Sequence, residues 1–150
     1  MNILKELPKI IRQLFSNQTP ADASDRGHII AIYLFGSFAK GSARKQSDID
    51  LAIAFDETYY REDPFRSIQK AELLGMEISQ KIHKSIDVVV LNSVSLSFAY
   101  QTVRNGVCLY ESSTVDKILY EVRLQSKYED FMPFIKDLRN SKREQLLGRN

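Results

Sequence analysis

One cysteine in 150 residues leaves Cys108 without an intrachain partner, so a disulfide-stapled scaffold is excluded. Cys108 lies in the apolar run Val107–Tyr110, where packing in the core is its expected role rather than nucleophilic attack. Tryptophan is absent, and the two histidines, His28 and His83, are separated by a predicted strand and helix. Without ligand spacing between them they read as structural residues, not as a metal pair. No run of the chain approaches the ~20 apolar residues of a membrane span. No apolar signal region follows the N-terminal charges, so cytoplasmic residence without a membrane partner is the expectation. Repeats and low-complexity tracts are missing. The excess of one charge sign is also small, 21 Lys and Arg against 19 Asp and Glu, a net charge of +2. A general nucleic-acid binder carries a much stronger basic face, so no stable nucleic-acid partner is expected. What is present, 43% hydrophobic and 27% charged residues, has the balance of one soluble globular domain with room for one core.

The informative stretch runs from Gly36 to Asp50. A Gly36-Ser37 pair is followed, after ten residues, by Asp48-Ile49-Asp50. The run before it, His28 to Phe35, is β-branched and aromatic and predicts a buried strand, and Ile49 to Phe55 predicts a second. Side chains alternate along a strand, so Asp48 and Asp50 are expected side by side on one face. Two like charges near a core are costly unless a cation neutralises them. A hard divalent ion such as Mg2+ takes carboxylate oxygens and leaves positions for phosphate. Gly36 lets backbone come close to an anion and Ser37 adds a hydroxyl donor. A phosphate seat beside a metal-carboxylate seat is what nucleotidyl transfer requires.

Along the chain, helices and strands alternate. Ile3, Leu4, Leu7, Ile10, Ile11 and Leu14 recur at helical spacing, predicting an amphipathic helix over 2–15. Ser16 to Gly27, with Pro20, predicts a loop. A short helix is expected from Phe38 to Ser42, its N-terminus toward the phosphates, with Gly41 permitting the turn that brings the loop back. Asp56 to Pro64 reads by composition as a loop, in which Tyr59 and Tyr60 are ordinary loop residues or a stacking pair. Phe65 to His83 predicts a helix with Ile68, Ala71, Leu74, Ile78 and Ile82 on one face. Ile86 to Leu91 predicts a third strand, Leu96 to Asn105 a helix stopped by Gly106, and Val107 to Tyr110 a fourth strand. Ser113 and Asp116 form a capping-box pair for a last helix that reaches Met132, where Pro133 kinks it or starts another turn. Val115, Ile118, Leu119, Val122, Phe131, Phe134 and Leu138 are expected to pack this segment on the sheet. Tyr120 and Tyr128 join the same core by default, and Arg139 to Asn150 reads as a solvated basic tail.

With strands before and within it, the pattern G-S-x10-D-x-D resembles the polymerase-beta-like nucleotidyltransferase superfamily. The short chain is similar to its minimal branch, the MNT proteins paired with HEPN-domain toxins. The motif covers Gly36 to Asp50, and the wider strand-helix pattern runs from about His28 to Tyr110. The resemblance implies an α/β fold, a small mixed sheet flanked by helices with the Asp-bearing strands as neighbours. One domain over 1–150 is expected: the N-terminal helix over 2–15, a catalytic core over 28–111 and a C-terminal helical segment over 113–147. It also points to Asp87 as a third carboxylate. Asp87 stands in the strand Ser85-Ile-Asp-Val-Val-Val, where an unpaired buried carboxylate would be heavily penalised.

The implied chemistry is the transfer of AMP from ATP. Asp48, Asp50 and Asp87 are the expected catalytic residues and the ligands of two Mg2+ ions, roughly 3.5–4 Å apart as in other two-metal sites. Gly36 and Ser37 would grip the β and γ phosphates, and Lys40, Arg44 and Lys45 would neutralise the triphosphate. For each of these three cations a solvated loop residue is an equal reading. The acceptor implied by the MNT branch is a tyrosine of a HEPN ribonuclease toxin, which the transfer silences. A small hydroxylated acceptor such as an aminoglycoside, or neutralisation of the partner by binding alone, remain open alternatives. The N-terminal helix and loop lengthen the chain ahead of the motif and would bear on docking.

Overall fold

The computed structural model describes residues 2–17 and 26–148. Helix α1 (Ile3–Ser16) starts after Asn2 and buries Ile3, Leu7 and Ile11, spaced four residues apart and so on one face. Leu4, expected on that face, is exposed. The expected loop over 16–27 falls mostly outside the described residues. Strand β1 (Ile29–Phe35) leads into a five-residue helix α2 (Gly36–Lys40), and β2 (Ile49–Phe55) follows the loop after it. Helices α3 (Glu57–Glu62) and α4 (Pro64–Ile82) cross over to β3 (Ile86–Val90). A 3-10 turn (Leu91–Ser93), α5 (Leu96–Asn105), β4 (Val107–Glu111) and α6 (Thr114–Leu146) complete the order.

The four strands lie in the order β3-β2-β1-β4. β1 pairs antiparallel with β2 and with β4, while β2 and β3 run parallel, so the sheet is mixed as expected and the Asp-bearing strands are neighbours. One face carries Ile32, Leu34, Leu51 and Ile53 and is covered by α1 and α4 through Leu7, Ile11, Leu74 and Ile78. The other carries Ala31, Tyr33, Ala52 and Ala54, and its alanines let α5 and α6 come close through Ala99 and Leu124. The Tyr33 hydroxyl crosses this layer to donate to Glu121 Oε1 at 2.8 Å. Burial and the nearby Glu121 carboxylate both push the Tyr33 phenol upward from its ordinary pKa, which keeps it a donor. Cys108 is half-buried on this face and donates its thiol to the Tyr110 carbonyl at 3.3 Å, a packing role as expected.

Two expectations are corrected. Asp56 to Pro64 is not a loop: the Asp56 side chain accepts from the Tyr59 N–H and starts α3, and Asp63 does the same for α4 with Pro64 in its first turn. Tyr59 is accordingly buried, its ring stacked on His28 at 4.1 Å and covered by the Arg66 guanidinium at 3.9 Å. Helix α6 runs through Pro133 to Leu146 as one element, within the helical segment expected over 113–147. Its start agrees with the sequence, the Asp116 N–H bonding the Ser113 hydroxyl at 3.0 Å. Val115, Ile118, Leu119, Val122, Phe131, Phe134 and Leu138 do not pack on the sheet; all seven are exposed, and Leu124 is the buried residue of the helix.

Candidate active site

The site is assembled where β1 ends and β2 and β3 begin. Phe35 closes β1 in extended conformation, and the chain then reverses at Gly36, whose φ of +72° is rarely open to a residue with a side chain. Space demands glycine as well, because a Cβ there would run into Asp50 Oδ2. The two residues the motif singles out at its ends are therefore packed against each other. Helix α2 starts at Gly36, two residues earlier than expected, and ends at Gly41, φ +73°, as the turn requires. The Ser37 carbonyl accepts from the Ser42 N–H at 3.0 Å, and a tight turn from Arg44 to Ser47 delivers the chain to Asp48.

Asp50 is the second residue of β2, its backbone opposite Phe35 on one side and Asp87 on the other. Strand alternation puts Asp50 and Asp87 on the face that carries Ala52, Ala54 and Val89. Burial raises the Asp50 carboxyl above the ordinary carboxylate range, and the charges of Asp87 and then Asp48 push it further. Both neighbouring carboxylates thus act on Asp50, which stands at one end of that sheet face. Two details differ from expectation. Asp48 precedes β2 and is exposed, so it reaches the site from the loop, not from the strand. Asp87 is exposed too, because β3 is an edge strand; the penalty of burying it does not apply. As the side chains stand, no group of three metal-ligating residues closes into a cage among the described residues. The donors are nevertheless all carboxylate oxygens, the set that suits a hard divalent cation.

Lys40, Arg44 and Lys45 are exposed around the α2–β2 loop, and none is in an ion pair among the described residues. The sequence did not point to Lys84. Its ammonium sits 5.5 Å from the centre of the Phe38 ring and donates to the Lys45 carbonyl at 3.3 Å, tying the loop to the approach of β3. Neither histidine joins the site: His28 stacks on Tyr59, and His83 caps α4 in a left-handed conformation. A cavity of about 480 Å3, with His28, Glu57, Asn92, Tyr120 and Arg123 in its wall, lies at the opposite end of the strands, away from the carboxylates.

Comparison with known proteins bears on this arrangement. Residues 11–115 match the polymerase beta nucleotidyltransferase family. The chain is similar to the protein adenylyltransferase MntA of Shewanella oneidensis, 31% identical over 98 residues, which is 65% of each chain. It therefore spans a little under two thirds of the length of that relative. Its fold is shared with a toxin–antitoxin crystal structure containing AMP-PNP, at a TM-score of 0.59 and 24% identity, over 88% of this chain and 98% of that one. It is also shared with one chain of a solved complex between a tri-AMPylated HEPN toxin and an MNT antitoxin of Shewanella oneidensis, at a TM-score of 0.55 and 22% identity, over 91% of this chain and 98% of that one.

Proposed function

The chain belongs to the polymerase beta nucleotidyltransferase family, and from that premise we propose that it transfers AMP from ATP to a tyrosine hydroxyl of a HEPN ribonuclease toxin, acting as the antitoxin. The observation that carries this reading is Asp50, wedged between the Gly36 turn and Asp87 with its carboxyl held above the usual range by burial and by two like charges. Such an arrangement is unfavourable by itself and becomes favourable when cations and a phosphate chain fill it. The acceptor is argued from the relatives: an adenylyltransferase by name, and a toxin complex in which the partner is AMPylated. ATP as donor accords with the AMP-PNP in a protein of the same fold.

In this reading Asp48, Asp50 and Asp87 would hold two Mg2+ ions, which when bound would supply charge neutralisation and a lowered pKa for the acceptor hydroxyl. The backbone at Gly36 and the Ser37 hydroxyl take the β and γ phosphates. Lys40, Arg44 and Lys45 offset the remaining triphosphate charge. Asp87, exposed at the sheet edge, faces the incoming hydroxyl and accepts its proton. The tyrosine oxygen attacks the α-phosphorus in line, a new P–O bond forms as the bond to the β-phosphate breaks, and pyrophosphate leaves. We place the reaction in the cytoplasm, where ATP is abundant. No helix among the described residues is long and apolar enough to cross a membrane.

The test incubates the chain with alpha-labelled ATP, Mg2+ and a co-expressed HEPN toxin, and reads the intact mass of the toxin. One or more AMP units on a toxin tyrosine, lost with Asp48→Asn, is the expected result. An unmodified toxin in a stable complex would overturn transfer in favour of neutralisation by binding. Label found only on a small hydroxylated molecule would overturn the toxin as acceptor.

A further inference from the structure

Phe35 and Phe98 form an aromatic ledge beside the carboxylates that the transfer chemistry leaves unused. Phe35 is the cross-strand partner of Asp50, and its side chain leaves the sheet on the same face, packed against the layer that contains Tyr33 and Ala52. Phe98 comes from the first turn of α5 and meets Phe35 with ring centroids 5.8 Å apart and planes at 86°. Its backbone N–H is bonded to the Ser95 hydroxyl that caps the helix, at 3.1 Å, and the next residue, Ala99, is buried, so the position is fixed. Yet Phe98 remains 40% exposed as a residue. In a perpendicular pair Phe35 covers at most one face of the Phe98 ring, which leaves a face for a planar ligand.

Strand order says which ligand. Across the sheet the site runs from Asp87 on β3, through Asp50 on β2, to Phe35 and Gly36 on β1. Asp87 takes the acceptor hydroxyl in the reading above, at the β3 edge, while Gly36 and Ser37 seat the phosphates at the end of β1. In-line attack sets the acceptor oxygen, the α-phosphorus and the leaving phosphates along that order, so the nucleoside leaves the α-phosphorus sideways to it, off the sheet face on which Phe35 and Phe98 stand. We propose that Phe98, backed by Phe35, is the platform on which the base of the donor nucleotide stacks. This inference rests on the nucleotidyltransferase reading. Every base offers a π face, so the platform adds affinity without selecting among bases.

The test titrates a non-hydrolysable ATP analogue with Mg2+ into the full chain and into Phe98→Ala, Phe98→Leu and Phe98→Trp. Loss of the ring is expected to weaken the analogue roughly ten-fold or more in both the Ala and Leu variants. Phe98→Trp should bind like the wild type. A GTP analogue should lose affinity to the same extent, and inorganic tripolyphosphate, which has no base, should bind all four proteins alike. The Leu variant keeps apolar bulk at the position, so an effect common to Ala and Leu reports the ring and not the packing. Equal binding of the ATP analogue by all variants would overturn the platform and leave the transferase reading standing. A loss confined to KM for the toxin would overturn it by moving Phe98 to the acceptor side. Failure of the wild type to bind any nucleotide would overturn the transferase reading and the platform with it.

Discussion

Asp50 shows how far a residue can be read from its neighbours in sequence. The G-S-x10-D-x-D spacing brought out Gly36 and Asp50 because one glycine turn and one strand start fix both, and the structure packs the two together. Asp87 was singled out as well, and the structure sets it opposite Asp50, although the physical reason offered for it fails: the residue is exposed on an edge strand. Lys84 and Phe98 were not legible, since each acts through a side-chain contact across a turn or between elements that no local pattern encodes. The raised pKa of Asp50 has a stability consequence with a definite sign. The folded chain binds this proton more readily than the unfolded chain, so folding gains stability as pH falls through the raised value. Above that value the full cost of the charge is present. Asp50→Asn removes the charge. In metal-free buffer near neutral pH the variant is expected to melt at or above the wild-type temperature, while transferring no AMP. Its advantage should shrink as the buffer is taken into the ordinary carboxylate range, where the wild-type carboxyl is protonated. Melting by circular dichroism at the two pH values checks this, and a variant less stable at neutral pH would show that Asp50 is a structural ligand instead.

At the scale of elements, periodicity established that helices exist and said less about what they cover. The seven apolar residues expected to dock α6 do not form one stripe. Val122 and Phe131 are nine residues apart, and at 3.6 residues per turn that places them on nearly opposite sides of the helix. Leu124 lies seven residues before Phe131, on the side that meets the sheet, and is buried. Phe131, Phe134 and Leu138 continue that side, but α6 has 33 residues, about 50 Å. A seven-residue strand spans only about 23 Å, so the second half of the helix outruns the sheet. The missed helix α3 has the opposite cause: with six residues it is too short for a periodic signal, and the Asp56 cap was its one local mark. Leu124→Ala is therefore expected to cost about 2–5 kcal/mol in urea unfolding. Leu138→Ala, equally apolar and in the same helix, should stay within about 0.5 kcal/mol of wild type. Equal costs for the two would mean that the far half of α6 is packed in solution.

At the scale of the whole molecule, strand order is the property that the residues alone did not yield; the mixed sheet came from the family resemblance. Asp50 and Asp87 become neighbours only because the chain between them, through α3 and α4, returns to set β3 parallel to β2. A ligand held by residues of β1, β2 and β3 at once cannot bind the unfolded chain, so its binding energy adds to folding stability. At about 100 times its Kd, ATP with Mg2+ would add about 2.7 kcal/mol, which for a chain of this size corresponds to a rise in Tm of roughly 5–10 °C. The two ligands should act together. ATP without the cation leaves the triphosphate facing Asp48, Asp50 and Asp87, and Mg2+ without ATP leaves an open site with exposed carboxylates, so each alone is expected to give a small shift. Asp50→Asn should remove the joint effect and leave the thermal transition cooperative. A full shift produced by ATP in the presence of a chelator would mean that the nucleotide is held away from the carboxylates, and would break the link between Asp50 and transfer.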